Sequence, residues 1–113
     1  MTTNDKNTTP DASEILGTLR ITKVQRRTSC GGAWVVGTIA GHRFDALVFP
    51  EHAASPDFEL GDSRISKLWL KQSDNQATVA NFDRGWDVRP TTDVAATIVD
   101  LLAAGLAETI YTA

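Results

Sequence analysis

The sequence predicts an α+β domain, in which a meander of about five antiparallel strands is followed by one C-terminal helix packed on a face. Three observations lead there. Short β-rich runs recur between residues 19 and 82, each ended by a polar or glycine-bearing turn. From Thr91 onward the apolar spacing becomes helical. The chain has 113 residues, 42% hydrophobic and 22% charged, enough for one core and too few for two.

Residues 1–13 are Thr, Asn, Asp, Lys, Pro and Ser with almost nothing to bury, so they read as a disordered tail ahead of a single domain over 14–113. The strand pattern starts at Ile15, with Leu19, Ile21 and Val24 set among Arg20, Thr22, Lys23 and Gln25. It stops at the turn Ser29-Cys30-Gly31-Gly32. Residues 33–39 and 42–49 are β-formers joined through Ala40-Gly41, a hairpin that Pro50 closes. Residues 51–63 carry Pro56, Asp57, Gly61 and Asp62 and read as a loop with room for a short helical turn. Residues 65–72 form a strand, Ser73-Asp74-Asn75-Gln76 a turn, and residues 77–82 the strand that pairs back. Asp83-Arg84-Gly85-Trp86-Asp87 reads as a bend or bulge. Thr91 or Thr92 then caps a helix that Asp93 favours at its first turn and that runs to about Glu108. The expected core is Leu19, Ile21, Val35, Ile39, Leu47, Phe49, Leu68, Leu70, Val79, Phe82, Val94, Ile98, Leu101 and Leu102.

The helix carries more apolar surface than one contact needs. Asp93, Thr97, Asp100 and Glu108 make one narrow polar stripe, whereas Val94, Ala95, Ile98, Val99, Leu101, Leu102, Leu106 and Ile110 cover most of the rest. A surface helix requires only about a 100° apolar face. One side therefore packs on the sheet and another on a second surface, for which the expectation is a homodimer through the C-terminal helix.

Gly37-Thr38-Ile39-Ala40-Gly41-His42-Arg43-Phe44, Arg64-Ile65-Ser66-Lys67-Leu68-Trp69-Leu70 and Asn81-Phe82-Asp83-Arg84-Gly85-Trp86-Asp87 together resemble a family of small bacterial proteins carried on plasmids, phages and integrated elements. The likeness spans roughly residues 33–106, and Phe-Asp-Arg-Gly-Trp-Asp is its most specific part. It implies a mobile-element setting and supplies no catalytic residues. The element order alone is also similar to the positive-cofactor-four type of single-strand DNA-binding protein, an analogy of topology.

Composition narrows the function classes. Cys30 is the sole cysteine, so no intramolecular disulfide forms and a reducing compartment suits the chain. The N-terminus lacks a basic start followed by an apolar segment, and no stretch approaches the roughly 18 apolar residues of a membrane span. The expected location is cytoplasmic, with no membrane partner. The net charge of −3 argues against a protein that envelops duplex DNA, though not against a local basic face.

Catalytic groupings are weak. Cys30, His42 and Asp45 contain the ingredients of a thiol nucleophile, a base and an orienting acid, but His42 and Asp45 lie three apart in a strand and leave it on opposite faces. The opposing expectation for these is a loop thiol and a surface histidine. His42 and His52 with scattered carboxylates give no metal-ligand spacing, and Asp57, Glu59 and Asp62 lack a calcium-loop pattern. Gly31-Gly32 and Gly37 fit no nucleotide-binding fingerprint. No catalytic residue, metal or cofactor is expected.

Two groups are candidate binding residues. Lys67-x-Trp69-x-Lys71 points three side chains to one face while Leu68 and Leu70 point to the core. An aromatic between two cations on an open sheet suits single-stranded nucleic acid, with a base stacked and phosphates neutralised. Arg20, Lys23, Arg26 and Arg27 extend such a patch. The opposing expectation is that the 51–63 loop buries Trp69. Arg84 and Trp86 could clamp a ligand together, or serve the bend, with Arg84 pairing to Asp83 or Asp87 and Trp86 under the sheet end. The leading functional expectation is a non-enzymatic accessory factor of a mobile element acting on a protein partner. The alternative is a dimeric single-stranded nucleic-acid binder on the Lys67/Trp69/Lys71 face. A small enzyme ranks third.

Overall fold

The computed structural model describes residues 11–28 and 31–111. The expectations for residues 1–10 and for Cys30 lie outside the described residues. Six strands form one antiparallel sheet in chain order: β1 (Arg20–Arg26), β2 (Ala33–Ile39), β3 (His42–Val48), β4 (Ile65–Gln72), β5 (Thr78–Asp83) and β6 (Trp86–Val88). Helix α1 (Ala12–Gly17) precedes the sheet and α2 (Asp93–Tyr111) follows it.

Two elements correct the sequence reading. The chain from Asp11 is a capped helix, where a tail and then a strand were expected. The Asp11 side chain accepts from the Glu14 N–H at 2.8 Å, and the Glu14 carboxylate accepts from the Asp11 N–H at 3.1 Å. This capping box satisfies two otherwise orphan donors and lets so short a helix form. The 83–87 bend contains the turn into a sixth strand, with Phe82 opposite Trp86 and Asn81 opposite Val88. Arg84 (φ 54°) and Gly85 (φ 144°) make that turn.

Alternation along the strands divides the sheet into two faces. Ala33, Val35 and Ile39 of β2, Phe44, Ala46 and Val48 of β3, Leu68 and Leu70 of β4, and Ala80 and Phe82 of β5 are buried beneath the helices. The expected core is corrected on β3, where Phe44, Ala46 and Val48 point inward rather than Leu47 and Phe49. Leu47 is still 4% exposed, but it lies on the opposite face, between Trp34 and Lys67 in the register. The strand is apolar on both faces near its end, so composition alone does not set its phase.

Helix α2 starts at Thr92, whose hydroxyl accepts from the Ala95 N–H at 3.0 Å. Ala95, Ile98, Val99, Leu102, Leu106 and Ala107 are buried, and Ala96, Asp100, Ala104 and Glu108 form the exposed stripe. Helix α1 packs against α2 and drives Ile15, 1% exposed, into the same core. Part of the apolar surplus of α2 is thus met inside the chain, while Val94, Leu101 and Ile110 stay half-buried. By length and composition α2 would also suffice to cross a membrane, contrary to the sequence estimate, although a core helix of a globular fold meets the same test. At its end the Tyr111 hydroxyl donates to the Val48 carbonyl at 2.9 Å, fastening the helix to β3.

Gly37 marks the tightest packing. A Cβ there would lie 2.4 Å from the Arg20 carbonyl oxygen and 2.7 Å from the Phe44 ring, so β1 and Phe44 can close on β2 only over glycine.

The loop between β3 and β4 holds a single 3-10 turn (Pro56–Phe58) and is organised by Glu59. Its carboxylate, 6% exposed as a residue, accepts from the Ala53 N–H at 2.6 Å, the Arg64 N–H at 3.2 Å and His52 Nδ1 at 2.7 Å. Burial alone would raise this carboxyl, but the hydrogen bonds and the neighbouring imidazole outweigh it and hold the group below the ordinary value of 4.5.

Candidate functional site

No helix covers the second face of the sheet among the described residues. Trp69 stands on it, 43% exposed at the middle of β4, and the 51–63 loop does not bury it. Its indole N–H donates to Thr78 Oγ1 at 2.9 Å, which fixes the ring orientation. Lys71 Nζ lies 4.8 Å from the ring centroid, and Lys67 follows on the same side of the strand. The shared face expected for Lys67, Trp69 and Lys71 is therefore present.

The register extends this face across the sheet. Trp34 on β2 aligns with Leu47 and, through it, with Lys67; Val36 aligns with Asp45 and, through it, with Trp69. Trp34 and Trp69 are thus two strands and one pleat apart, roughly 12 Å between backbones. Both border a shallow depression of about 360 Å³ with Asp45 and Asn81 in its floor. On the β1 side, Trp34 meets Lys23, Gln25 and Arg43 around a second depression. Trp34 and Arg43 are the members that sequence reasoning missed.

Charge is sorted between the two sides of the molecule. Over strands β1 to β5 the open face presents Arg20, Lys23, Arg43, Lys67 and Lys71 against Asp45 and Asp83, five cations to two carboxylates. Arg43 is held by Asp45 at 3.1 Å and Lys67 by Asp83 at 3.7 Å, which leaves Arg20, Lys23 and Lys71 without a carboxylate partner among the described residues. The helical side carries Asp11, Glu14, Asp93, Asp100 and Glu108 against Arg26 and Arg89, and neither helix contains a Lys or Arg. A net charge of −3 therefore coexists with a basic sheet face.

Other predicted residues separate. Arg26 points to the core side, donating to the Ile110 carbonyl at 3.3 Å with its guanidinium 5.3 Å from the Tyr111 ring, so it anchors α2 and does not extend the basic face. Arg27 donates to the Gly31 carbonyl at 2.8 Å and lies 5.6 Å from the Phe49 ring, at one end of the sheet. Trp86 packs edge-on against Phe82 at 5.3 Å, with Arg89 over its outer surface, on the core side. Arg84 pairs with Asp83 at 3.8 Å and lines a cavity that Trp86 does not reach. The joint Arg84–Trp86 clamp is not formed.

The enzyme and metal readings gain little. His42, expected at the surface, is 7% exposed and faces the core, with Nδ1 2.7 Å from the Ala40 carbonyl oxygen, whereas Asp45 is on the open face. Ligand atoms of His52, Glu59 and Asp62 do converge within 4.8 Å, a grouping the sequence spacing did not reveal. Both Glu59 oxygens are already hydrogen-bonded to the loop backbone, which accounts for the cluster structurally.

Residues 33–107 match the family model of a domain of unknown function, DUF7678, and the chain belongs to that family. The matched segment begins at β2 and ends within α2, leaving α1 and β1 outside it. No curated protein and no solved structure matches the chain.

Proposed function

We propose that the open face of the sheet binds single-stranded nucleic acid without catalysing a reaction. The observation that carries this reading is Trp69, solvent-exposed in mid-strand, locked by Thr78 and flanked by Lys71. A fixed indole offers a flat π-surface to any base, a contact worth about 1–3 kcal/mol per stacked base, and the adjacent ammonium offers a phosphate counter-charge. Trp34 supplies a second platform, and Arg20, Lys23 and Arg43 continue the positive surface toward β1. A flat sheet face favours an unpaired strand over a duplex, because stacking needs bases that are free to leave their own stack.

The reading that favoured a protein partner drew on the apolar surplus of α2, and α1 takes up part of that surplus. A mobile-element accessory role, implied by the sequence resemblance, fits a small strand-binding domain equally well. The test uses the three tryptophans as reporters. On titration with decathymidylate, the indole N–H resonances of Trp34 and Trp69 should shift in two-dimensional NMR while that of Trp86 stays. Shifts confined to Trp86, or none at all, would reject the face.

A further inference from the structure

At one end of the open face, where the β3–β4 loop folds back, the structure holds a cavity of about 580 Å³. That volume is in the range of a small-molecule site. Its walls carry Arg27, Arg64, Lys67 and Arg84, drawn from four separate parts of the chain. Phe49 and Phe58 add apolar wall, Phe58 being 52% exposed.

The backbone adds an independent observation. Four non-glycine residues have positive φ among the described residues, and two of them are cavity arginines, Arg64 at 64° and Arg84 at 54°. The left-handed region disfavours a side chain by about 1 kcal/mol or more, and turns normally fill it with Gly or Asn. Arginine at two such positions facing one cavity costs more than Gly or Asn would, an outlier that directs attention to the two guanidinium groups. Arg64 is braced by its bond to the Pro50 carbonyl at 3.0 Å, and Arg84 by the bond of its own N–H to the Ser66 carbonyl at 3.0 Å. The one buried carboxylate in the wall, Glu59, is occupied by the loop backbone and His52. Exposed Glu51 borders the rim.

Guanidinium groups arranged around an open cavity match the geometry and charge of a phosphate monoester. Lys67 borders both this cavity and the depression beside Trp69, so the cavity is continuous with the open face. We propose that the cavity takes the terminal phosphate monoester of a strand lying on that face, with Arg64 and Arg84 as the principal anion contacts. The inference rests on the strand-binding reading for its source of phosphate, and the cavity chemistry can be tested apart from it.

Decathymidylate bearing a terminal phosphate, at the 5′ end in one arm and the 3′ end in another, is compared with the hydroxyl-ended oligomer by anisotropy. One phosphorylated end should bind about tenfold more tightly, the scale of a single charge-assisted hydrogen bond. Arg84→Gln should abolish that preference, and Arg64→Gln provides a second variant. Trp69→Ala should weaken all oligomers and leave the preference intact. Equal affinity of all ends, or a preference that survives both arginine substitutions, would overturn the proposal. Adenosine monophosphate, titrated by calorimetry, separates the sources. If no oligomer binds but the mononucleotide does so in an Arg84-dependent manner, the strand reading and the terminal-phosphate assignment fail together, and a free-nucleotide pocket stands in their place. If oligomers bind without end preference and the mononucleotide does not bind, the cavity assignment alone fails.

Discussion

Raising the salt concentration from 50 to 200 mM is the perturbation for which the open face gives the clearest magnitude. For single strands the logarithm of the affinity falls with the logarithm of salt with a slope of about −0.7 per phosphate neutralised. Arg20, Lys23 and Lys71 have no carboxylate partner among the described residues, and Arg43 and Lys67 are held by Asp45 and Asp83. With only the three unpaired cations engaged the slope is about −2, and with all five it is about −3.5. The affinity for decathymidylate should therefore fall by about 20-fold to about 130-fold over this fourfold change. The assay is anisotropy at four or five salt concentrations with wild type and Lys71→Gln, for which the slope should drop by about 0.7. A slope near zero, or one that Lys71→Gln leaves unchanged, would refute the assignment of phosphate contacts to this face. Arg26→Gln serves as the control, because that side chain is committed to Ile110 and Tyr111 and should lower stability without altering the slope.

Three further outcomes concern the scaffold. Gly37→Ala should destabilise the domain by about 2 kcal/mol or more in urea titration, since the new methyl meets the Arg20 carbonyl at 2.4 Å and backbone must move; a neutral result would contradict the close packing of β1 on β2. Ile15→Ala should cost about 3 kcal/mol by the same measurement, and a loss under about 1 kcal/mol would show that α1 is not what covers α2. Glu59 titrates below its ordinary value of 4.5, so the stability it contributes is complete above that pH and is lost as the pH falls through the lower, folded-state value. Glu59→Gln should flatten the acid limb of a stability–pH profile in that window, and an unchanged limb would remove Glu59 as its cause.

Much of the scaffold was readable because its signals are local. The β4 segment alternates Leu68 and Leu70 against Lys67, Trp69 and Lys71, and both its boundaries and its facing follow from that period of two. The start of α2 is equally explicit in Thr92-Asp93. Helix α1 was missed although Asp11 and Glu14 sit at capping-box spacing, because Ile15, Leu19 and Ile21 also satisfy a strand pattern and six residues are too few for a helical period to emerge. Strand β6 has three residues and exists through pairing to β5, a tertiary contact that no local window contains.

The site was legible only in part for the same reason. Trp69 announces itself by standing between two lysines. Trp34 is followed by Val35 and Val36, so an apolar run conceals that it faces outward, and only the alignment with Leu47 reveals it. The arginine-lined cavity assembles Arg27, Arg64, Lys67 and Arg84 across the sheet and two turns, a convergence created by register and by the Glu59-braced loop.

The central claim is that an unpaired strand stacks on the face bearing Trp69 and Trp34. Its most direct test is anisotropy titration of labelled decathymidylate at low salt with wild type, Trp69→Ala and Trp34→Ala. The account predicts saturable binding that each substitution weakens by about 5-fold to 150-fold, with the urea midpoint of Trp69→Ala close to wild type. Absence of saturable binding, or an affinity untouched by either substitution, would contradict it.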